Sequence, residues 1–146
     1  MIRKGLFLLP EHGQGLFCPV YVDDVVDAVV LAAESDEGRG QIFQIGGELC
    51  VAAESYFAHL YRLAGKQGPP RSFSTPVAVA IAETARVLFG LAGKHTELGR
   101  GVMVMLAKKR TFSNAKARAV LGWAPRVTLD EGMRRTELWL RSEGLI

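Results

Sequence analysis

Three carboxylates crowd the run Pro-Val-Tyr-Val-Asp-Asp-Val-Val-Asp-Ala at residues 19–28: Asp23, Asp24 and Asp27. Acids this close can share a proton, hold a cation, or serve as general acid and base. They can equally open a helix, because a carboxylate there accepts first-turn N–H groups and meets the positive end of the helix dipole. The residues that follow favour the helix. Val25, Val26, Val29, Val30 and Ala33 recur at helical spacing, while Asp27 and Glu34 fall outside that stripe. Asp23 or Asp24 is expected to cap, with Asp27 in support.

Other chemistry-bearing residues form no complete constellation. Gly13-Gln14-Gly15 is followed by Cys18 where a phosphate-cradling G-x-G-x-x-G needs glycine, and Gly90-x-x-Gly93-Lys94-His95-Thr96 has the wrong spacing for a P-loop. His12, His59 and His95 lie far apart and lack metal-ligand spacing. Ser55 and His59 share a helix face at i,i+4, but no third partner completes a triad. Cys18 and Cys50 lack a C-x-x-C arrangement, so two reduced, buried thiols are expected and a zinc site is not. No catalytic residue and no metal ligand is assigned from spacing.

The elements that must position these residues alternate between strand and helix periods. Residues 16–22 read as a short strand and Asp24 opens a helix. The segment Gln-Ile-Phe-Gln-Ile-Gly-Gly, residues 41–47, reads as a second strand anchored by Ile42 and Ile45. A helix follows over about 52–64, ended by Gly65 and the Gly68-Pro69-Pro70 break. Ser74-Thr75-Pro76 opens a long apolar helix, with proline in the first turn where its missing N–H is harmless. Further helices are expected over 98–109 and 113–121, the latter ended by Gly122 in the left-handed conformation. Thr128-Leu129-Asp130-Glu131 is a capping box that starts a final helix, with Leu129, Met133, Thr136 and Leu140 on one side.

A chain of 146 residues supplies one domain. A hydrophobic fraction of 49% is high for a soluble protein and suggests surface to be buried against something else. The net charge of +3 is spread along the chain, which argues against a nucleic-acid surface. The opening Met-Ile-Arg-Lys-Gly-Leu-Phe-Leu-Leu-Pro has too short an apolar run for a signal peptide. The apolar segment 76–92 carries Glu83 and Arg86, which suits a buried or lid-like helix better than a membrane span. A cytoplasmic location follows as the default expectation.

Four blocks in order carry a family resemblance: Pro-Val-Tyr-Val-Asp-Asp-Val-Val-Asp-Ala, Gln-Ile-Phe-Gln-Ile-Gly-Gly, Ser-Asn-Ala-Lys-Ala-Arg-Ala-Val-Leu-Gly-Trp-Ala-Pro, and Leu-Asp-Glu-Gly-Met-Arg-Arg-Thr-Glu-Leu-Trp-Leu. Together they resemble the carboxy-terminal half of an extended short-chain dehydrogenase/reductase, of the NAD-dependent epimerase/dehydratase group. The Pro-rich entry, the long apolar helix and Arg-Thr-Phe-Ser-Asn-Ala-Lys-Ala look most like the 3-beta-hydroxysteroid dehydrogenase and dihydroflavonol reductase branch. The resemblance implies an α/β fold: an incomplete Rossmann-type arrangement, mostly a helical substrate-binding subdomain with two or three short strands. Residues 1–146 would be its substrate-binding region, with the amino-terminal dinucleotide-binding half absent.

The departures are as informative as the match. In the sugar-nucleotide epimerases of this group, the strand before the Val-Asp-Asp block brings an arginine to the phosphates, and here that place is Phe17. The basic cluster Lys108-Lys109-Arg110 is the alternative source of positive charge. The family's Tyr-x-x-x-Lys, whose lysine lowers the tyrosine pKa, is missing: the residues four after Tyr21, Tyr56 and Tyr61 are Val25, Leu60 and Gly65. The expected function is therefore the substrate-binding part of an NAD(P)-dependent oxidoreductase acting on a secondary alcohol or ketone, apolar and sterol-like, and inactive alone. NAD or NADP would serve the complete family enzyme, with none expected on this chain by itself. Phe17, Pro19, Tyr21 and Arg110 are the expected substrate-side residues. Expected partners are a small-molecule substrate and either a missing amino-terminal half or a second copy of the chain. The alternatives are a non-enzymatic ligand- or partner-binding module of the same descent, and a sugar-nucleotide epimerase/dehydratase fragment.

Overall fold

The computed structural model of the chain describes residues 7–96 and 99–146. These form an α/β structure of six helices and four two-residue strands. The chain divides into two compact units, one built from residues 1–17 and 51–110, the other from 18–50 and 111–146. No helix among the described residues is long and apolar enough to cross a membrane.

In the first unit, β1 (Leu8–Leu9) pairs in parallel with β4 (Arg71–Ser72), and β2 (Leu16–Phe17) pairs antiparallel with β3 (Val51–Ala52). Two such short ladders are not stable alone. Helices α2 (Ala53–Leu63), α3 (Thr75–Leu91) and α4 (Arg100–Leu106) supply the missing burial. Their shared core is Leu9, Ala53, Phe57, Ala78, Ala82, Met103 and Leu106. Ala78 and Ala82 are the buried positions of α3, and their small side chains let it lie close against its neighbours. Of the expected buried or lid-like helix, the fully buried alternative is corrected: Val77, Ile81, Val87, Leu88 and Leu91 all face outward, because small residues occupy the inward stripe.

The Gly13-Gln14-Gly15 run belongs to this packing. A Cβ on Gly15 would sit 1.8 Å from the Leu106 carbonyl oxygen, so only glycine lets the backbone pass the end of α4. Just before it, Glu11 and His12 hold φ values of 51° and 50°, unusual for residues other than glycine. The Glu11 carboxylate accepts from Lys109 Nζ at 2.8 Å and from Thr75 Oγ1 at 3.0 Å. These contacts hold its pKa below the usual carboxylate value.

In the second unit, α1 (Val22–Glu34) and α5 (Ala115–Leu121) enclose Ala28, Ala117, Leu121 and Trp123. Gly122 ends α5 at φ 63°, as expected. Thr128 caps α6 (Leu129–Ser142) by accepting from Glu131 N–H. The reciprocal half of the capping box is replaced, since Glu131 gives its carboxylate to Arg134 and Arg135.

Residues 41–47 were expected to be a strand, yet they join no ladder. Their side chains nevertheless alternate. Phe43 and Ile45 pack on the core beside α1 and α5, whereas Ile42 is 81% exposed. No backbone hydrogen bond among the described residues involves Ile42, Phe43, Gln44 or Ile45. The period is that of a strand, but a ladder needs a neighbouring strand, and none pairs with it among the described residues. The stripe on α1 is corrected as well. Val26, Val29 and Val30 point outward, while Asp24 and Ala28 face in.

Candidate functional site

The acidic run sits at the start of α1, and Asp24 is its centre. Its side chain is 1% exposed. The helix is capped at Tyr21 with no side-chain bond, so the expectation that Asp23 or Asp24 caps is overturned. The reason is geometric. Asp24 lies inside the first turn facing inward, and its two carboxylate oxygens accept from the backbone N–H groups of Arg126 at 2.9 Å and Val127 at 3.0 Å. The Asp24 carbonyl accepts from Trp123 Nε1 at 2.8 Å. One buried residue thus satisfies three donors of the 123–127 segment, which a cap at the outer end of the helix could not reach.

The other acids are peripheral. Asp27 pairs with Arg126 and Asp23 with Arg135. Around them runs a groove of about 370 Å³ lined by Asp23, Asp27, Arg126, Thr128, Glu131 and Arg135. The Arg134 and Arg135 guanidinium groups hold the Glu131 pKa down to about 2. Every charge in the groove is matched by a neighbour, and Asp24 has both oxygens committed to backbone. The arrangement is that of a structural anchor, not of a general base.

The expected substrate-side residues fall in both units. Phe17, in the first, is half-buried, stacked on Tyr56 at 5.8 Å and edge-on to Phe57 at 5.5 Å. Arg110 is exposed beyond the end of α4. In the second unit, Pro19 is half-buried, with its carbonyl 1.9 Å from where a Cβ on Gly47 would be. Tyr21 lies against Gly132, with the Arg135 guanidinium 5.4 Å above its ring. His59 interacts through Nδ1 with Arg62 at 2.8 Å, while its Nε2 is buried without a hydrogen-bond partner among the described residues. Among the described residues no group of His, Cys, Asp or Glu could hold a metal ion.

A feature that sequence reasoning missed is covalent. Cys18 and Cys50 form a disulfide, which overturns the expectation of two reduced thiols. The cause is strand register: β2 pairs Leu16 with Ala52 and Phe17 with Val51, so the next opposed positions are Cys18 and Cys50. Spacing in the sequence carries no sign of that register. A second groove, of about 470 Å³, opens beside Cys50 and is lined also by Glu48, Phe112, Ser113, Asn114 and Arg118. Asn114 clamps Gly46 by accepting from its N–H at 3.1 Å and donating to its carbonyl at 2.8 Å.

No family model matches the chain. Curated relatives do. A 3beta-hydroxysteroid-dehydrogenase/decarboxylase (isoform 1) of Arabidopsis thaliana is 28% identical over 91% of this chain and 33% of its own length. A UDP-glucose 4-epimerase of Mycolicibacterium smegmatis is 31% identical over 85% of this chain and 31% of its own. Among solved structures, a UDP-glucose 4-epimerase of Thermotoga maritima with UDP-glucose superposes with a TM-score of 0.61 at 24% identity. That match covers 97% of this chain and 37% of the other. The chain spans less than half the length of the curated relatives it matches. The fold is thus that of the Rossmann-type epimerases, and the chain is similar to members of the NAD-dependent epimerase/dehydratase and 3-beta-hydroxysteroid dehydrogenase group.

The glycine pair Gly13 and Gly15 serves close packing, with an added Cβ meeting Glu54 Cβ at 2.8 Å or the Leu106 carbonyl at 1.8 Å.

Proposed function

We propose that this chain is the substrate-side part of an NAD(P)-dependent oxidoreductase, working only with a dinucleotide-binding part that brings the cofactor and the catalytic tyrosine. The observation that carries this reading is the strand-like segment Ile42–Ile45, packed on one face and unpaired along its backbone. Such an edge is completed by an adjacent strand. The outward valines of α1 are further surface for a partner to cover.

The proposed substrate is an apolar secondary alcohol or ketone. Phe17, set among Tyr56 and Phe57, places aromatic surface where the resemblance puts a phosphate-binding arginine in the sugar-nucleotide enzymes. Phe17, Pro19, Tyr21 and Arg110 remain the residues proposed on the substrate side. A sugar nucleotide is the second reading, favoured by the similarity to UDP-glucose 4-epimerases.

Calorimetric titration of the 146-residue chain with NAD(H) and NADP(H) tests the first point, with no binding expected. Micromolar binding by the chain alone would overturn it. Joining the chain to the dinucleotide-binding half of a curated relative, and assaying a sterol alcohol beside UDP-glucose, tests the second. Turnover of UDP-glucose but not of the sterol alcohol would establish the sugar-nucleotide reading instead.

A further inference from the structure

The Cys18–Cys50 disulfide stands at a particular place in the chain. The polypeptide leaves the first unit after Phe17 and re-enters it at Val51. The disulfide therefore closes the whole excursion 18–50, which contains α1 and the segment 41–47 that joins no ladder, at its neck. The adjoining β2–β3 ladder has two residue pairs, Gly47 N–H donates to the Cys18 carbonyl at 3.1 Å, and Asn114 clamps Gly46. Cys50 lines an open groove, so an attacking thiolate has a path to it.

We propose that Cys18–Cys50 is a reversible thiol–disulfide modification site whose redox partner is a dithiol. The reductant's thiolate attacks Cys50 Sγ, and Cys18 leaves as a thiolate and takes up a proton. The reductant's second thiol then resolves the mixed disulfide, releasing the Cys50 thiol and an oxidised, cyclic reductant. Two electrons and two protons pass from the dithiol to the pair. Opening the ring restores conformational freedom to residues 18–50 and loosens the second unit, while α2 and α3, outside the ring, are left as they were.

The test uses the native chain. Dithiothreitol is added without denaturant, free thiols are trapped with iodoacetamide and counted by mass spectrometry, and hydrogen exchange is followed in both redox states. Both cysteines should be alkylated only after reduction, and a glutathione redox buffer should re-form the bond. Exchange in α1 and residues 41–50 should speed up by about tenfold or more on reduction, with α2 and α3 unchanged. The Cys18→Ser/Cys50→Ser double variant should show the reduced pattern under all redox conditions. The proposal is overturned if the cysteines are alkylated without reductant, if the bond resists dithiothreitol until the chain is unfolded, or if exchange is the same in both states.

Discussion

Trp123 donates its indole N–H to the backbone carbonyl of Asp24 at 2.8 Å, and the Asp24 carboxylate in turn holds the N–H groups of Arg126 and Val127. The first turn of α1 and the 123–127 segment are thereby one polar unit. A buried carboxylate with both oxygens bonded to backbone is costly to alter, because a change leaves those donors without their acceptor.

The Asp24→Asn variant separates this role from capping. As a cap, asparagine would serve nearly as well as aspartate. Here the amide nitrogen would face a backbone donor, so the variant should lose about 1–3 kcal/mol of stability. Urea unfolding measures it, and Asp24→Ala should lose at least as much. An Asp24→Asn variant as stable as the parent would return the residue to a capping role.

Gly15→Ala should destabilise the chain severely. The added methyl would lie 1.8 Å from a backbone oxygen, which cannot rotate away as a side chain could. The cost should reach at least the upper end of overpacking penalties, about 3 kcal/mol. Thermal unfolding decides it, and a fall of less than a degree would contradict the close approach of residue 15 to α4.

Glu131 gives a pH signature. Its pKa is lowered from 4.5 to about 2 by hydrogen bonds from Arg134 and then Arg135. A depressed carboxylate contributes stability that is fully present above its unfolded pKa and is lost as pH falls through the folded one. The window is therefore pH 4.5 down to about 2. Glu131→Gln should flatten the pH dependence of unfolding in that window and change its shape little near neutrality. An unaltered acid limb in the variant would show that these ion pairs contribute nothing measurable.

Phe17→Leu probes the aromatic cluster. The change keeps an apolar residue but removes the stacked contact with Tyr56 and the edge contact with Phe57. Each such pair contributes about 0.5–1.5 kcal/mol beyond its buried area, so a loss of about 1–3 kcal/mol is expected in urea unfolding. No loss would leave Phe17 free of a packing role.

The outward face of α1 predicts association. Val22, Val26, Val29 and Val30 are exposed together, so light scattering after size exclusion should report a species larger than a monomer. Val26→Lys with Val30→Lys should shift it toward the monomer. A monomeric parent at high micromolar concentration would show that this face does not drive self-association.

Helix positions were legible from local signals. The Pro76 entry to α3, the left-handed Gly122 behind α5 and the Thr128 cap of α6 each need only the backbone geometry of a few consecutive residues, and the structure places all three as read. Tertiary structure decided what depends on residues distant in the chain. The Gln41–Gly47 segment has a strand's alternation, but a ladder requires a second strand, and neighbouring backbone is not encoded in period. The direction α1 faces turned on Asp24 finding the N–H groups of residues 126 and 127, about a hundred positions away, rather than on its valine stripe. Cys18 and Cys50 were joined by the register of β2 against β3, because opposed positions in an antiparallel pair bring their Cβ atoms together, and no spacing rule in a single sequence specifies which residues become opposed.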